Sequence, residues 1–157
     1  MTIRRAEARD VPRVLALLSQ VLEIHAAIRP DVFVPGTTKY SPEELEAIFA
    51  DENTPVYVAV GEADEVVGYA FCVIKDAPAK EFLVPARSLY IDDLCVDEAS
   101  RKSGVGKELF DFVCSEARAL GCSSVTLNVW EGNDAARRFY EKMGMTPRAA
   151  TMELSLR

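Results

Sequence analysis

Residues 94 to 107 read Leu94-Cys95-Val96-Asp97-Glu98-Ala99-Ser100-Arg101-Lys102-Ser103-Gly104-Val105-Gly106-Lys107, an apolar run that feeds a polar turn and then two glycines spaced by one residue. Free backbone N–H groups at a helix start, with the positive end of the helix dipole, bind phosphate, and glycine lets that backbone approach its ligand closely. Arg101 and Lys102 add cationic side chains at the same turn. Spacing separates the motifs that compete for this stretch. A Walker loop needs a glycine four residues ahead of its Gly-Lys pair and Ser or Thr behind it, where this chain has Arg101 and Glu108. A dinucleotide fingerprint needs a third glycine where Leu109 stands. What remains is Arg-x-x-Gly-x-Gly, the pattern of an anion-binding turn.

Two further groupings could do chemistry. Asn133 and Tyr140 are seven residues apart in a helical pattern, about two turns, so they project from one face. On their own they also read as a helix cap and an ordinary amphipathic tyrosine. Asp92 and Asp93 are adjacent within Leu89-Tyr90-Ile91-Asp92-Asp93-Leu94-Cys95-Val96, and in a regular strand their side chains point to opposite faces. Carboxylates in so apolar a strand are costly to bury without partners. Cys72, Cys95, Cys114 and Cys122 form no C-x-x-C pair, and with a single histidine in the chain no metal site is expected. These cysteines read as small buried hydrophobes, Cys95 included, since nothing in the sequence offers it a base.

The elements that must position these groups can be read from periodicity. A short strand over 2–6 precedes a helix that Asp10 caps, with Pro12 in its first turn and Val14, Leu18, Val21, His25 and Ile28 on one stripe. His25 there is either a packed core histidine or a wall of a substrate pocket. Residues 29–40 form a loop, and Ser41-Pro42-Glu43-Glu44 is a capping box opening a short helix. A hairpin over 56–60 and 66–74, an irregular connection over 76–87 and a strand over 88–97 follow. After the glycine turn come a helix over 104–120, a strand over 125–130, a helix over 133–143 and a closing pair of strands over 146–156.

Arg101-x-x-Gly104-x-Gly106, following a strand that ends Leu94-Cys95-Val96-Asp97, resembles the pyrophosphate-binding motif of the GNAT superfamily of acyl-coenzyme A dependent N-acyltransferases. The second signature of that superfamily is matched by Leu127-Asn128-Val129-Trp130-Glu131-Gly132-Asn133-Asp134-Ala135-Ala136-Arg137-Arg138-Phe139-Tyr140-Glu141-Lys142-Met143-Gly144-Met145. The resemblance implies one domain over residues 1–157 with an α/β (α+β) GNAT fold. It implies a central, mixed but mostly antiparallel sheet of six to seven strands, about four helices, and a splayed strand pair around the cofactor.

For the cofactor, acetyl-coenzyme A, the resemblance implies contacts from Leu94, Cys95 and Val96, from Arg101, Lys102, Ser103, Gly104, Val105, Gly106 and Lys107, and from Asn133 and Tyr140. Acyl transfer from a thioester to an amine needs a neutral amine, donors for the developing oxyanion and an acid for the departing thiolate. Tyr140 is the expected acid, and backbone N–H groups over 94–96 the expected oxyanion donors. No side-chain nucleophile is needed, because a bound primary amine can attack directly in a ternary complex. Polyamine acetyltransferases of the superfamily carry an acidic pair like Asp92-Asp93, with the first acid the proposed base, which makes Asp92 the expected base and Asp93 a neighbour of the acceptor. A structural or amine-orienting carboxylate is the alternative role for Asp92, and Glu131, at the end of the neighbouring strand and beside the acceptor pocket, is the second candidate for the base. His25 and Phe33 are expected to line the acceptor pocket, with Tyr40 and Phe82 in the same loops. A coenzyme A-binding regulatory module without acceptor turnover is the alternative.

Charge refines the acceptor. The 157 residues carry 18 Lys plus Arg against 25 Asp plus Glu, a net charge of -7. Residues 31–65 hold nine acidic groups and one basic, whereas residues 101–157 hold seven acidic and nine basic. An acidic chain is a poor nucleic-acid binder, because that binding rests on clustered cations releasing counterions. The division suits an anionic cofactor on one side and a cationic, polyamine-like amine or a peptide amine on the other. No continuous apolar run reaches the roughly 20 residues of a membrane span, and the N-terminus lacks a signal-peptide core, so a cytoplasmic protein is expected. The resemblance adds a homodimer as its common assembly.

Overall fold

Local chemistry starts the helices. In the computed structural model, which describes residues 1–157, α2 (Pro42–Ala50) begins at the expected capping box. There the Glu44 N–H donates to the Ser41 hydroxyl and the Ser41 N–H to the Glu44 carboxylate, each at 3.1 Å. The start of α1 (Val11–Ile28) differs from expectation. Asp10 is buried and does not cap this helix. Its carboxylate accepts two bonds from Arg4, at 2.8 and 3.0 Å, and one from the Glu7 N–H at 2.8 Å, closing a single 3-10 turn over Ala8–Asp10. The buried charge is thereby paired, as a desolvated carboxylate requires.

Strands β1 (Thr2–Arg5), β2 (Val56–Val60), β3 (Val66–Asp76), β4 (Arg87–Val96) and β5 (Ser124–Leu127) lie side by side in sequence order. The first three pairings are antiparallel and β4 with β5 is parallel, joined through α3 (Val105–Ala119). One face of the sheet packs on α1 and α2 through Val14, Leu17, Leu18, Leu45, Val58 and Tyr69. The other packs on α3 through Ala59, Leu89, Ile91, Leu109 and Val113, and α4 (Asp134–Lys142) lies at its margin. Buried on both faces, β2 is apolar throughout, as Val56-Tyr57-Val58-Ala59-Val60 foretells.

The sheet has five strands, not six or seven. Residues 146–157 form no strand and make no backbone–backbone hydrogen bond. Met152, Leu154 and Leu156, whose alternation suggested a strand, are 90%, 83% and 92% exposed. Alternation supplies a face, but a strand also needs a free ladder edge alongside it. Helix α1, with the turn before it, is long and apolar enough by composition to cross a membrane, with a mean hydropathy of 1.4 over its window. In this fold its Val14 and Leu17 are fully buried against the sheet.

Candidate active site

The site forms where β4 leaves β5. Parallel pairing runs from Ser88 opposite Ser124 to Ile91 opposite Leu127 and stops, so residues 93–96 have a β3 neighbour on one edge and none on the other. The Asp97 N–H donates to the Val67 carbonyl at 2.8 Å. Antiparallel alternation then turns the N–H groups of Cys95 and Asp93 toward β3 and those of Leu94 and Val96 into the gap. Two of the three expected backbone donors therefore face the opening. Cys95 does not: its backbone belongs to the β3 ladder and its thiol lies buried 3.8 Å from the Leu17 carbonyl. Burial pushes that thiol up to about 12, so it stays protonated and packs.

Below the gap, the chain turns through Glu98–Ser100 into α3, and six successive backbone N–H groups, from Lys102 to Lys107, donate to nothing within the chain. Lys102 and Gly104 take left-handed φ angles of 68° and 87°, the kind of conformation in which successive N–H groups can converge on an anion. At Gly104 a β-carbon would meet open space, so glycine is needed there for its φ angle. Gly106 serves packing instead. A β-carbon on it would lie 3.2 Å from Phe139 of α4 and 3.6 Å from Val96. The Arg101 guanidinium donates to the Val96 carbonyl at 3.2 Å, holding it at the turn. Ser103 donates its hydroxyl to the Ser100 carbonyl, and Lys107 pairs with Asp111 one turn on at 2.6 Å. The turn is fixed to α1 through Asp97, which accepts from Arg13 and, at 3.1 Å, from Gln20. A pyrophosphate fits this donor set.

Helix α4 borders the gap. The Asn133 side chain caps it, accepting from the Ala136 N–H at 3.3 Å. Tyr140 is partly buried, its ring 6.2 Å from Phe110 and 5.2 Å from Phe139, and its hydroxyl has no hydrogen-bond partner in the chain. Burial, with the Asp93 carboxylate nearby, raises its phenol well above the ordinary value, so it remains a proton donor.

On the opposite side of the sheet the structure overturns one expectation. Asp92 and Asp93 do not face opposite ways. The register of β3 with β4 slips between Phe71 and Cys72, whose partners are Asp93 and Ile91, leaving Asp92 as the extra residue of a β-bulge. Ile91 packs on the α3 side, whereas Phe71 and Cys95 pack on the α1 side. Asp93, opposite Phe71, therefore shares the α1 face with the bulged Asp92. The Tyr69 hydroxyl donates to Asp93 at 2.7 Å, and Lys39 bonds Asp92 at 2.9 Å. Burial raises the Asp93 carboxyl to about 6, against the pull of Tyr69 and Lys39 toward ionisation.

The loop over 29–41 closes this side. His25 and Phe33 do meet, with rings 5.2 Å apart, and Trp130 joins them edge-on at 5.5 Å from Phe33. Burial and the Lys39 charge lower the His25 pKa, favouring the neutral imidazole. Glu131 is not brought in: its carboxylate is 94% exposed, 3.5 Å from Arg137. Phe82 is 79% exposed. Lys39, Tyr69 and Trp130 are the residues that sequence reading did not single out. Lys39 alone had a signal there, as the one base in the acidic stretch 31–65.

The family model of the GNAT acetyltransferases matches residues 19–145. The BH1408 protein of Bacillus halodurans has a solved structure 33% identical to this chain, with a TM-score of 0.95 over 99% of this chain and all of the other. An uncharacterized N-acetyltransferase of Lactobacillus delbrueckii is 34% identical over 52% of this chain and 46% of its own, so the chain spans about half that relative's length. The thialysine N-epsilon-acetyltransferase of Bos taurus is 28% identical over 90% of this chain and 82% of its own. The glycine turn, the parted strands and Tyr140 thus sit in a chain that belongs to the GNAT family of acetyltransferases.

Proposed function

We propose that the chain transfers an acetyl group from acetyl-coenzyme A to a primary amine carried by a cationic acceptor, by direct attack within a ternary complex. The observation that carries this reading is the gap between β4 and β5, which has a backbone anion site and a protonated tyrosine on one side and a paired carboxylate site on the other. The free N–H groups over 102–107 would hold the pyrophosphate, with Arg101 beside them. Bound there, the cofactor supplies a thioester whose carbonyl carbon accepts the amine. The Leu94 and Val96 N–H groups face the gap and would stabilise the oxyanion, as preorganised donors aimed at developing charge.

Tyr140 gives its proton to the departing thiolate. Asp92, on the acceptor side, binds the ammonium of the incoming substrate and takes up its proton. Asp93, held by Tyr69, reinforces the negative field. A cationic acceptor agrees with the nine acidic groups of residues 31–65 and with the lysine-like substrate named for the bovine relative. The test is thiol release from acetyl-coenzyme A with polyamines, lysine analogues, basic peptides and neutral amines. Faster release with cationic amines is expected. Cofactor binding without release from any amine would favour the regulatory module, and equal rates with neutral amines would remove the preference for cations.

A further inference from the structure

The carboxylate site on the α1 side is already filled by an ammonium from this chain. Lys39 lies on the loop between α1 and α2, and its Nζ bonds Asp92 at 2.9 Å and sits 5.3 Å from the centre of the Tyr40 ring. Its charge also acts on Asp93 and His25, so the amine stands among the groups expected to receive an acceptor. The loop is pinned on both sides of it. Before it, the Gly36 N–H donates to Glu23 at 2.7 Å and Phe33 packs on His25. After it, Tyr40 stacks on Phe71 at 5.9 Å and Ser41 enters the α2 capping box. Lys39 is thus delivered to the bulge by a loop with fixed ends. With its side chain 45% exposed, it is reachable from outside the fold.

We propose that Lys39 is an internal occupant of the acceptor site, which is displaced by external cationic amines and becomes acetylated itself when none is present. This rests on the acetyltransferase reading above. In the self-reaction the Lys39 ammonium loses a proton, the neutral Nζ forms a bond to the acetyl carbon, and the carbon–sulfur bond breaks. The thiolate leaves as the protonated thiol, so acetyl-coenzyme A and a charged lysine give Nε-acetyl-lysine, coenzyme A and one proton. The product is neutral and cannot hold Asp92 as an ion pair, so acetylation frees that carboxylate for a cationic acceptor. Burial is the largest single influence and works against the ammonium, but the hydrogen bond it donates to Asp92 and the negative charges of Asp92 and Asp93 together outweigh it and raise the Lys39 pKa, so the self-reaction should be slow at neutral pH and quicken as pH rises.

The experiment incubates the protein with acetyl-coenzyme A in the absence and presence of an external amine that supports thiol release, and maps acetyl-lysine by peptide mass spectrometry. Without the amine, Lys39 should carry about tenfold more acetyl than Lys80 or Lys142, a modest return for holding an amine at the reaction centre. The external amine should suppress that labelling. Asp92→Asn, which removes the ion pair, should reduce Lys39 acetylation to the level of the other lysines. Thiol release with external amines but no excess acetyl on Lys39 overturns the proposal and leaves the acetyltransferase reading standing, as does unchanged Lys39 labelling in Asp92→Asn. Absence of both thiol release and Lys39 labelling overturns the two together.

Discussion

Backbone builds the site on the α3 side of the β4 gap, and side chains build it on the α1 side. Toward α3 the donors are the N–H groups of residues 102–107, on a turn with left-handed angles at Lys102 and Gly104 that is anchored through Asp97 to α1. Toward α1 the groups are Asp92 and Asp93 on a bulge and Lys39, Tyr40 and Phe33 on a loop. A backbone site tolerates many side chains but demands particular glycines, whereas a side-chain site can change its ligand by one substitution. The first suits a cofactor held in common across a family, and the second an acceptor that differs between its members.

Tyr140→Phe tests the first side most severely. The ring stays packed on Phe110 and Phe139 while the hydroxyl is lost. Loss of a general acid typically costs about 10²-fold or more, so turnover should fall by that order while cofactor affinity, measured by calorimetry, stays nearly constant. An unchanged rate would leave the backbone side as a binding surface only.

Asp93 tests the second side through pH. Its folded-state pKa, raised mainly by burial to about 6 from 3.8, means the native chain holds this proton more tightly than the unfolded chain. The corresponding stabilisation is present below about pH 4 and is lost as pH rises through about 6, with an upper bound of about 3 kcal/mol at 1.36 kcal/mol per pH unit. Asp93→Asn, still able to accept from Tyr69, should flatten the slope of unfolding free energy between those pH values. A slope equal to that of the unsubstituted protein would mean that the fold leaves the Asp93 pKa where the unfolded chain has it, and that burial does not press on this carboxylate.

The same contrast explains what could be read from the sequence. Gly104 was legible because a left-handed turn before a helix selects glycine whatever surrounds it, and Asn133 and Tyr140 because a helix fixes their spacing. The orientation of Asp92 and Asp93 was not, since it depends on a register slip against Phe71 and Cys72, about twenty residues earlier in the chain and set by pairing. Nor was the Lys39 contact, which closes a separation of 53 residues. Period-2 alternation correctly marks the solvent and core faces of a strand once it has neighbours, but Met152, Leu154 and Leu156 show that alternation alone does not provide them.

Gly104→Val should have a smaller effect than either. A left-handed φ costs a residue with a β-carbon about 1–2 kcal/mol, which would reappear as cofactor affinity weakened roughly tenfold if the turn relaxes to relieve it. Retained affinity in a folded variant would refute the phosphate site.

Lys107 should matter least, and its case sharpens the contrast most finely. It stands in the glycine motif, yet its ammonium lies 2.6 Å from Asp111 on an exposed helix face, a partner one turn away that competes for it. Exposed pairs of this kind contribute little, because water solvates each partner well when they part. Lys107→Ala should therefore leave stability almost unchanged and weaken cofactor affinity only slightly, well below the effect of removing the Arg101 guanidinium, which is tethered at the turn by the Val96 carbonyl. Measured across a salt series, the Lys107 effect should vanish at high ionic strength. A Lys107→Ala loss as large as that of Arg101→Ala would mean the phosphate site draws on mobile side-chain charge as much as on fixed backbone, and the two sides of the gap would then differ less in kind than their architecture implies.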